Sequence, residues 1–157
     1  MEIQLIAIGR TNIPFVKEGI SEYSRRLARY ITFRICELPD IKNSGRIPEE
    51  RQKEEEGKLL LSNMTQSDTV ILLDERGKEF TSVDFASFME KRMAAGGKRI
   101  LFVVGGPYGF SEAVYSRADF LLSLSKMTFN HEMARMFFTE QLYRAMTIIK
   151  GEPYHHK

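Results

Sequence analysis

The chain lacks several features that would decide its class at once. It has a single cysteine, Cys36, which excludes an intramolecular disulfide framework and a cysteine-based metal cluster. A reducing cytoplasm is then the natural compartment. Its three histidines, His131, His155 and His156, form no H-x-x-x-H pair, so no metal site is expected. No apolar run approaches the roughly 18 residues of a membrane span. The first nine residues lack the basic flank and small-residue cleavage site of a signal peptide. There is no G-x-G-x-x-G fingerprint, no Gly-Lys-Ser/Thr of a P-loop and no G-x-S-x-G elbow. Charge of one sign is also missing. A net charge of +2 and a pI near 8.7 fall short of an electrostatic footprint on nucleic acid, so any RNA contact must be local and shaped.

What is present reads as one soluble domain. At 157 residues, 43% hydrophobic and 28% charged, the chain can bury about two thirds of its unfolded surface. Residues 2–8 predict a buried strand. Asn12 is placed to cap a following helix with Pro14 in its first turn. Val16, Ile20, Tyr23, Leu27 and Tyr30 recur at helical spacing and mark its core face. Arg25, Arg26 and Arg29 lie on its other side, as a solvated face would have them. Residues 31–38 alternate as a half-buried strand near a sheet edge. A polar loop, 39–47, leads to a charged helix from Pro48. Its Glu54–Glu56 run predicts solvated surface. Residues 69–73, TVILL, predict a strand ending in Asp74–Gly77. Thr81 predicts a capped helix that stops at Gly96-Gly97. Residues 99–104, RILFVV, predict another strand, running into Gly105-Gly106-Pro107. Ser111 predicts a cap for a short helix to about Arg117, and Phe120–Leu122 a fifth strand. Apolar strands alternating with helices imply an α/β domain, a mostly parallel sheet with helices on both faces.

In such sheets ligands bind beyond the carboxyl ends of the strands. The candidate ends are Leu73-Asp74, Gly105-Gly106-Pro107 and Leu122–Phe129. The paired glycines let a ligand approach the backbone closely; a tight structural turn is the plainer reading of the same residues. The stretch 121–145 carries the densest chemistry. A loop alternating hydroxyls with apolar side chains enters a helix that Asn130 is placed to cap. His131, Arg135 and Arg144 on that helix are candidates to contact an anion or a base, although an ordinary amphipathic core helix would also fit. Met133, Met136, Phe137, Phe138, Leu142, Met146 and Ile149 surround it with more apolar surface than one sheet face requires. A two-fold dimer would bury such a surface.

Five motifs in order resemble the RlmH family: LDERG at 73–77, FVVGGPYGF at 102–110, LSLSKMTFNHEMAR at 122–135, EQLYRA at 140–145 and PYHHK at 153–157. The likeness spans the whole chain, including IQLIAIGR near its start. Phe129 and Asn130 stand where the family often has leucine and proline. The resemblance implies a SPOUT-type α/β trefoil knot of five or six strands, with S-adenosylmethionine as cofactor. It implies methylation of N3 of a pseudouridine in a 23S rRNA stem-loop that faces the small ribosomal subunit. It also implies a cytoplasmic homodimer acting on the ribosome, with no membrane and no metal involved. Leu73, Gly105, Leu124, Ser125, Lys126, Met127, Thr128 and Phe129 would line the cofactor pocket. Arg144 would stabilise the developing anion, His155 would take the N3 proton, and Tyr154 would stack on the base. His131 and Arg135 would join Tyr154 against the substrate. Two other classes remain open on residues alone: a non-catalytic nucleotide binder on the same sheet, and a ribosome-associated scaffold with a lapsed pocket. The intact GGPYG and LSLSKMT loops weigh against the scaffold.

Overall fold

A computed structural model describes residues 1–156; Lys157, the last residue of the PYHHK motif, lies outside the described residues. Strands and helices alternate: β1 (Glu2–Ile8), α1 (Pro14–Leu27), β2 (Thr32–Leu38), α2 (Glu49–Leu61), β3 (Thr69–Glu79), α3 (Ser82–Ala94), β4 (Arg99–Val104), α4 (Glu112–Arg117), β5 (Phe120–Ser123) and α5 (His131–Ile149). The sheet has five strands in the order β2-β1-β4-β3-β5, and every pairing is parallel. The half-buried strand β2 is at an edge, as its alternation predicts.

Strand periodicity sends alternate side chains to two cores. Leu5, Ile71, Phe102 and Leu122 face α1, α3 and α5, where Leu27, Met89, Phe138 and Leu142 complete one core. Ile6, Val70, Leu72 and Val103 face α2 and α4, where Leu60 and Val114 complete the other. Helices therefore cover both faces. Hydroxyl caps form at two starts: Thr81 accepts from the Asp84 amide and Ser111 from the Val114 amide. Asn130 accepts from the Glu132 amide at 2.8 Å.

Several expectations give way to long-range packing. Asn12 does not cap α1. The amides of Asn12 and Ile13, just ahead of α1, instead donate to Glu132 Oε1 at 2.8 and 2.9 Å, so the helix entry is held from the other end of the chain and α1 has no side-chain cap. The Ile13 bond, partly offset by burial and then reinforced by Asn12, holds this carboxyl below its ordinary range. β3 does not stop at Leu73. It runs on through DERGKE and shifts register against β5, with Leu73 and Lys78 both opposite Leu122. The close approach needs Gly77, since a Cβ there would lie 2.6 Å from the Leu121 carbonyl carbon. Glu56 is not solvated surface but 3% exposed.

α5 lies between α1 and α3 on the sheet. Those neighbours bury Phe138, Leu142 and Met146, so much of its apolar girth is used inside one chain and does not by itself require a dimer.

Arg135 is expected to face a nucleotide, yet it has no accessible surface. Nη2 donates to the Ile8 carbonyl at 3.0 Å; Nη1 donates to the Gly9 carbonyl at 3.0 Å, to Thr11 Oγ1 at 2.9 Å and to Glu37 Oε2 at 3.1 Å. Its task is to tie the first turns of α5 to the end of β1. Arg135→Met would strand two buried carbonyls, and we expect a loss of about 3 kcal/mol in urea unfolding. A loss below about 1 kcal/mol would mean that the carbonyls find other donors.

Candidate active site

The carboxyl ends of β4, β3 and β5 are adjacent in the sheet. A cleft of 1660 Å³ opens beyond them. Of the eight residues expected at a cofactor pocket, Leu73, Gly105, Leu124, Ser125, Met127, Thr128 and Phe129 line it. Lys126 does not: its side chain is 84% exposed and points toward Glu79, 3.8 Å away. Segments separated by some thirty and twenty residues along the chain thus meet at one place, because three parallel strands deliver them there.

The walls differ in character. Leu73, Val104 and Leu124 make an apolar slot at the strand ends. The turn 105–109 presents backbone on a second side. A Cβ on Gly105 would press on the Phe110 ring at 3.2 Å, so the glycine keeps this turn folded onto its own core. On the third side the 123–129 loop is tied by its hydroxyls. Ser123 Oγ donates to the Ser125 carbonyl at 3.0 Å, the Met127 amide donates to Ser125 Oγ at 3.0 Å, and Thr128 Oγ1 donates to Glu75 Oε2 at 3.2 Å. Met127 at its tip is 77% exposed. His131 lines the cleft and is exposed. Phe129 packs on Phe137 with ring centroids 5.0 Å apart.

Sequence reasoning names Asp74 at a strand end but misses the groups gathered around it. Asp74, Glu75 and Arg76 line the cleft mouth on the extended part of β3. The Tyr115 hydroxyl donates to Asp74 and accepts from Arg76, whose guanidinium lies 5.0 Å over the Tyr115 ring. Burial, then the Asp74 bond, push the Tyr115 phenol up from its ordinary value. The LDERG motif signals Asp74; nothing in the sequence signals Tyr115. Among the described residues no group of three or more His, Cys, Asp or Glu is placed to hold a metal, and no helix is long and apolar enough to cross a membrane.

The other candidates form a second cluster near the far end of α5. Arg144 Nη2 donates to Glu140 Oε2 at 2.7 Å, and Tyr154 Oη donates to the same oxygen at 2.7 Å. Arg144 Nη1 lies 3.1 Å from His155 Nδ1 and its guanidinium 4.8 Å over the Tyr154 ring. None of Arg144, Tyr154 and His155 lines the large cleft. Arg144 lies thirteen helical steps beyond His131, about 20 Å along the axis. One chain therefore brings together seven of the expected cofactor residues, with His131, in the cleft and, elsewhere, Arg144, Tyr154 and His155, while Arg135 belongs to neither.

The family described as "Predicted SPOUT methyltransferase" matches residues 1–155, and the chain belongs to it. A solved "probable methylase family protein" from Haemophilus influenzae superposes with a TM-score of 0.52 at 14% identity, over 99% of this chain and 70% of its own; that likeness concerns the fold alone. Within the family, the chain is 54% identical over 157 residues, the full length of both proteins, to the ribosomal RNA large subunit methyltransferase H of Parabacteroides distasonis and to that of Christiangramia forsetii. It belongs to this RlmH group.

Glu140 holds two of the candidate side chains, which yields a test. Burial, then the Tyr23 and Glu140 contacts, push the Tyr154 phenol far above its ordinary range. Glu140→Gln removes a negative charge that opposes ionisation, so Tyr154 should titrate at lower pH than in wild type, yet above a free phenol because burial persists. NMR of ring-labelled tyrosine would read this. An unchanged titration would mean that Glu140 is not its partner in solution.

Proposed function

We propose that the protein is a cytoplasmic, homodimeric, S-adenosylmethionine-dependent methyltransferase of 23S rRNA, methylating N3 of a pseudouridine in the stem-loop that faces the small subunit. The observation that carries the reading is the convergence of Leu73, Gly105 and the 124–129 loop on one strand-end cleft. The names of the 54% identical relatives supply the large-subunit rRNA. The reading includes the trefoil threading that the family resemblance implies, in which the chain after β5 passes through a loop.

The residues fit such a cofactor. A nucleoside with a cationic amino-acid arm needs an apolar slot and exposed backbone rather than an anion cradle. Leu73, Val104 and Leu124 give the slot, the 105–109 turn gives the backbone, and Asp74 and Glu75 give negative charge at the mouth. When bound, the cofactor supplies an electrophilic methyl group on sulfur. The protein's share is alignment, exclusion of water and management of one proton.

Arg144 would stabilise the negative charge that develops as N3 loses its proton. Glu140 holds that guanidinium and the Tyr154 hydroxyl on one oxygen, leaving the Tyr154 ring as a stacking face. His155 Nδ1 is occupied by Arg144 Nη1. A guanidinium can only donate, so Nδ1 is the unprotonated nitrogen there. To act as base, Nδ1 must exchange Arg144 for the N3 proton, which couples proton removal to the movement of the charge that stabilises it. His131 at the cleft remains a substrate contact in this reading; Arg135, being enclosed, does not.

Because Arg144, Tyr154 and His155 do not reach the cleft of their own chain, the reading places the tail of one subunit at the cleft of its partner. Calorimetry should show micromolar binding of adenosylmethionine that ATP and NAD do not match. Equal binding of ATP would support a general nucleotide binder instead. The weak net charge favours a shaped, assembled substrate; methylation of protein-free rRNA as fast as of ribosomes would refute that part.

Complementation tests the composite site. A variant truncated before Tyr154 and a Gly105→Val variant should each be inactive. Mixed dimers should recover part of the activity, since one of their two sites is complete. No recovery after verified subunit exchange would place tail and cleft on the same chain.

A further inference from the structure

Glu56 sits behind the glycine wall of the cleft and has no part in the chemistry above. Its side chain is 3% exposed. Oε2 accepts from Gln52 Nε2 at 3.3 Å, while Oε1 is buried with no hydrogen-bond partner among the described residues. The carboxyl is pressed onto Gly106. A Cβ built there would lie 2.8 Å from Cδ and Oε2 and closer still to Oε1, so only glycine admits this contact. Gly105, Gly106 and Pro107 in turn line the cleft. A single thickness of backbone separates a buried acid from the cofactor space.

The groups that face Glu56 are few. Gln52 lies one turn earlier on α2, Asp40 is in the preceding loop, and the backbone of Gly106 lies opposite. The segment 105–111, GGPYGFS, carries no charged side chain. Burial pushes the Glu56 carboxyl above its ordinary range against the pull of the Gln52 bond, and Asp40 adds to the push. Among the described residues no cation acts on this acid. An ionised carboxyl in such a place is stabilised by positive charge from elsewhere.

We propose that Glu56 is a positioning residue that acts through Gly106: it braces the glycine wall and couples its own ionisation to a cationic occupant of the cleft. The inference rests on the reading that the cleft takes adenosylmethionine, whose sulfonium and ammonium groups are positive. A cation in the cleft favours the carboxylate over the acid. Binding therefore expels a proton from Glu56, and affinity rises with pH through its titration. Each pKa unit by which binding lowers Glu56 is worth up to about tenfold in affinity. The demethylated thioether product lacks the sulfonium charge and should couple less.

The test is calorimetry of the full-length protein with adenosylmethionine and with S-adenosylhomocysteine, from about pH 5 to pH 8. Each titration is run in two buffers of different ionisation enthalpy, which reports protons released per site. Wild type should release protons on binding adenosylmethionine, bind it more tightly as pH rises, and show a smaller effect with the thioether. Glu56→Gln keeps the shape of the side chain without the charge. It should lose the release, bind with little pH dependence, and bind adenosylmethionine several-fold more weakly than wild type at the upper end. His131 also lines the cleft, so His131→Ala should keep the release. Release that persists in Glu56→Gln, or vanishes in His131→Ala, overturns the inference. Should Glu56→Gln fail to melt cooperatively, the His131→Ala arm decides alone. Wild-type binding without release overturns the coupling but leaves the proposed function standing; no binding at all overturns both.

Discussion

The grip of Arg135 on the end of β1 is the constraint on which the site depends. A parallel sheet leaves the last carbonyls of its strands unpaired where the chain turns away. Here the guanidinium of a distant helix satisfies those of Ile8 and Gly9. One turn earlier on the same helix, Glu132 accepts the amides of Asn12 and Ile13, just ahead of α1. The two residues bond the β1–α1 turn from both chemical sides, acceptor to amides and donor to carbonyls. The helix they fix is the direct continuation of the 123–129 loop. One end of that loop is held by β5 and the other by this double anchor, so its geometry is inherited from the sheet.

Most of the elements were legible in the sequence because their causes are local. Continuous apolar runs such as TVILL and RILFVV can only be strands buried on both faces. Thr81, Ser111 and Asn130 cap helices within three residues of themselves. The misreadings all involve partners far away in the chain. Asn12 looks like a cap, yet its amide is taken by an acid 120 residues later. DERGKE looks like a turn, and becomes strand only because β5 lies alongside. Glu56 belongs to a charge run, and its burial is decided by Gly106 and Ser111 packing onto α2. Arg135 shows the same limit: an arginine on a helix is equally suited to a phosphate or to two carbonyls, and only the fold chooses.

The candidate site was legible in halves. The sequence places Leu73, Gly105 and the 124–129 loop at strand ends, and the strand order brings those ends together. The relation of that cleft to the Arg144–Tyr154–His155 cluster was not legible, since it follows from the length of α5. The helix acts as a spacer of fixed length. It keeps the apolar slot apart from the polar cluster and leaves each with its own hydrogen-bonded support: Ser125 and Glu75 for the loop, Glu140 for the cluster.

The two borders of the sheet limit how copies of the molecule can meet. An unpaired strand is a template for another strand. On one border β2 carries Arg34 and Glu37, the first paired to Glu2 and the second to Arg135. On the other, β5 is four residues long. Neither border is a long apolar ladder of the kind that a neighbouring strand extends.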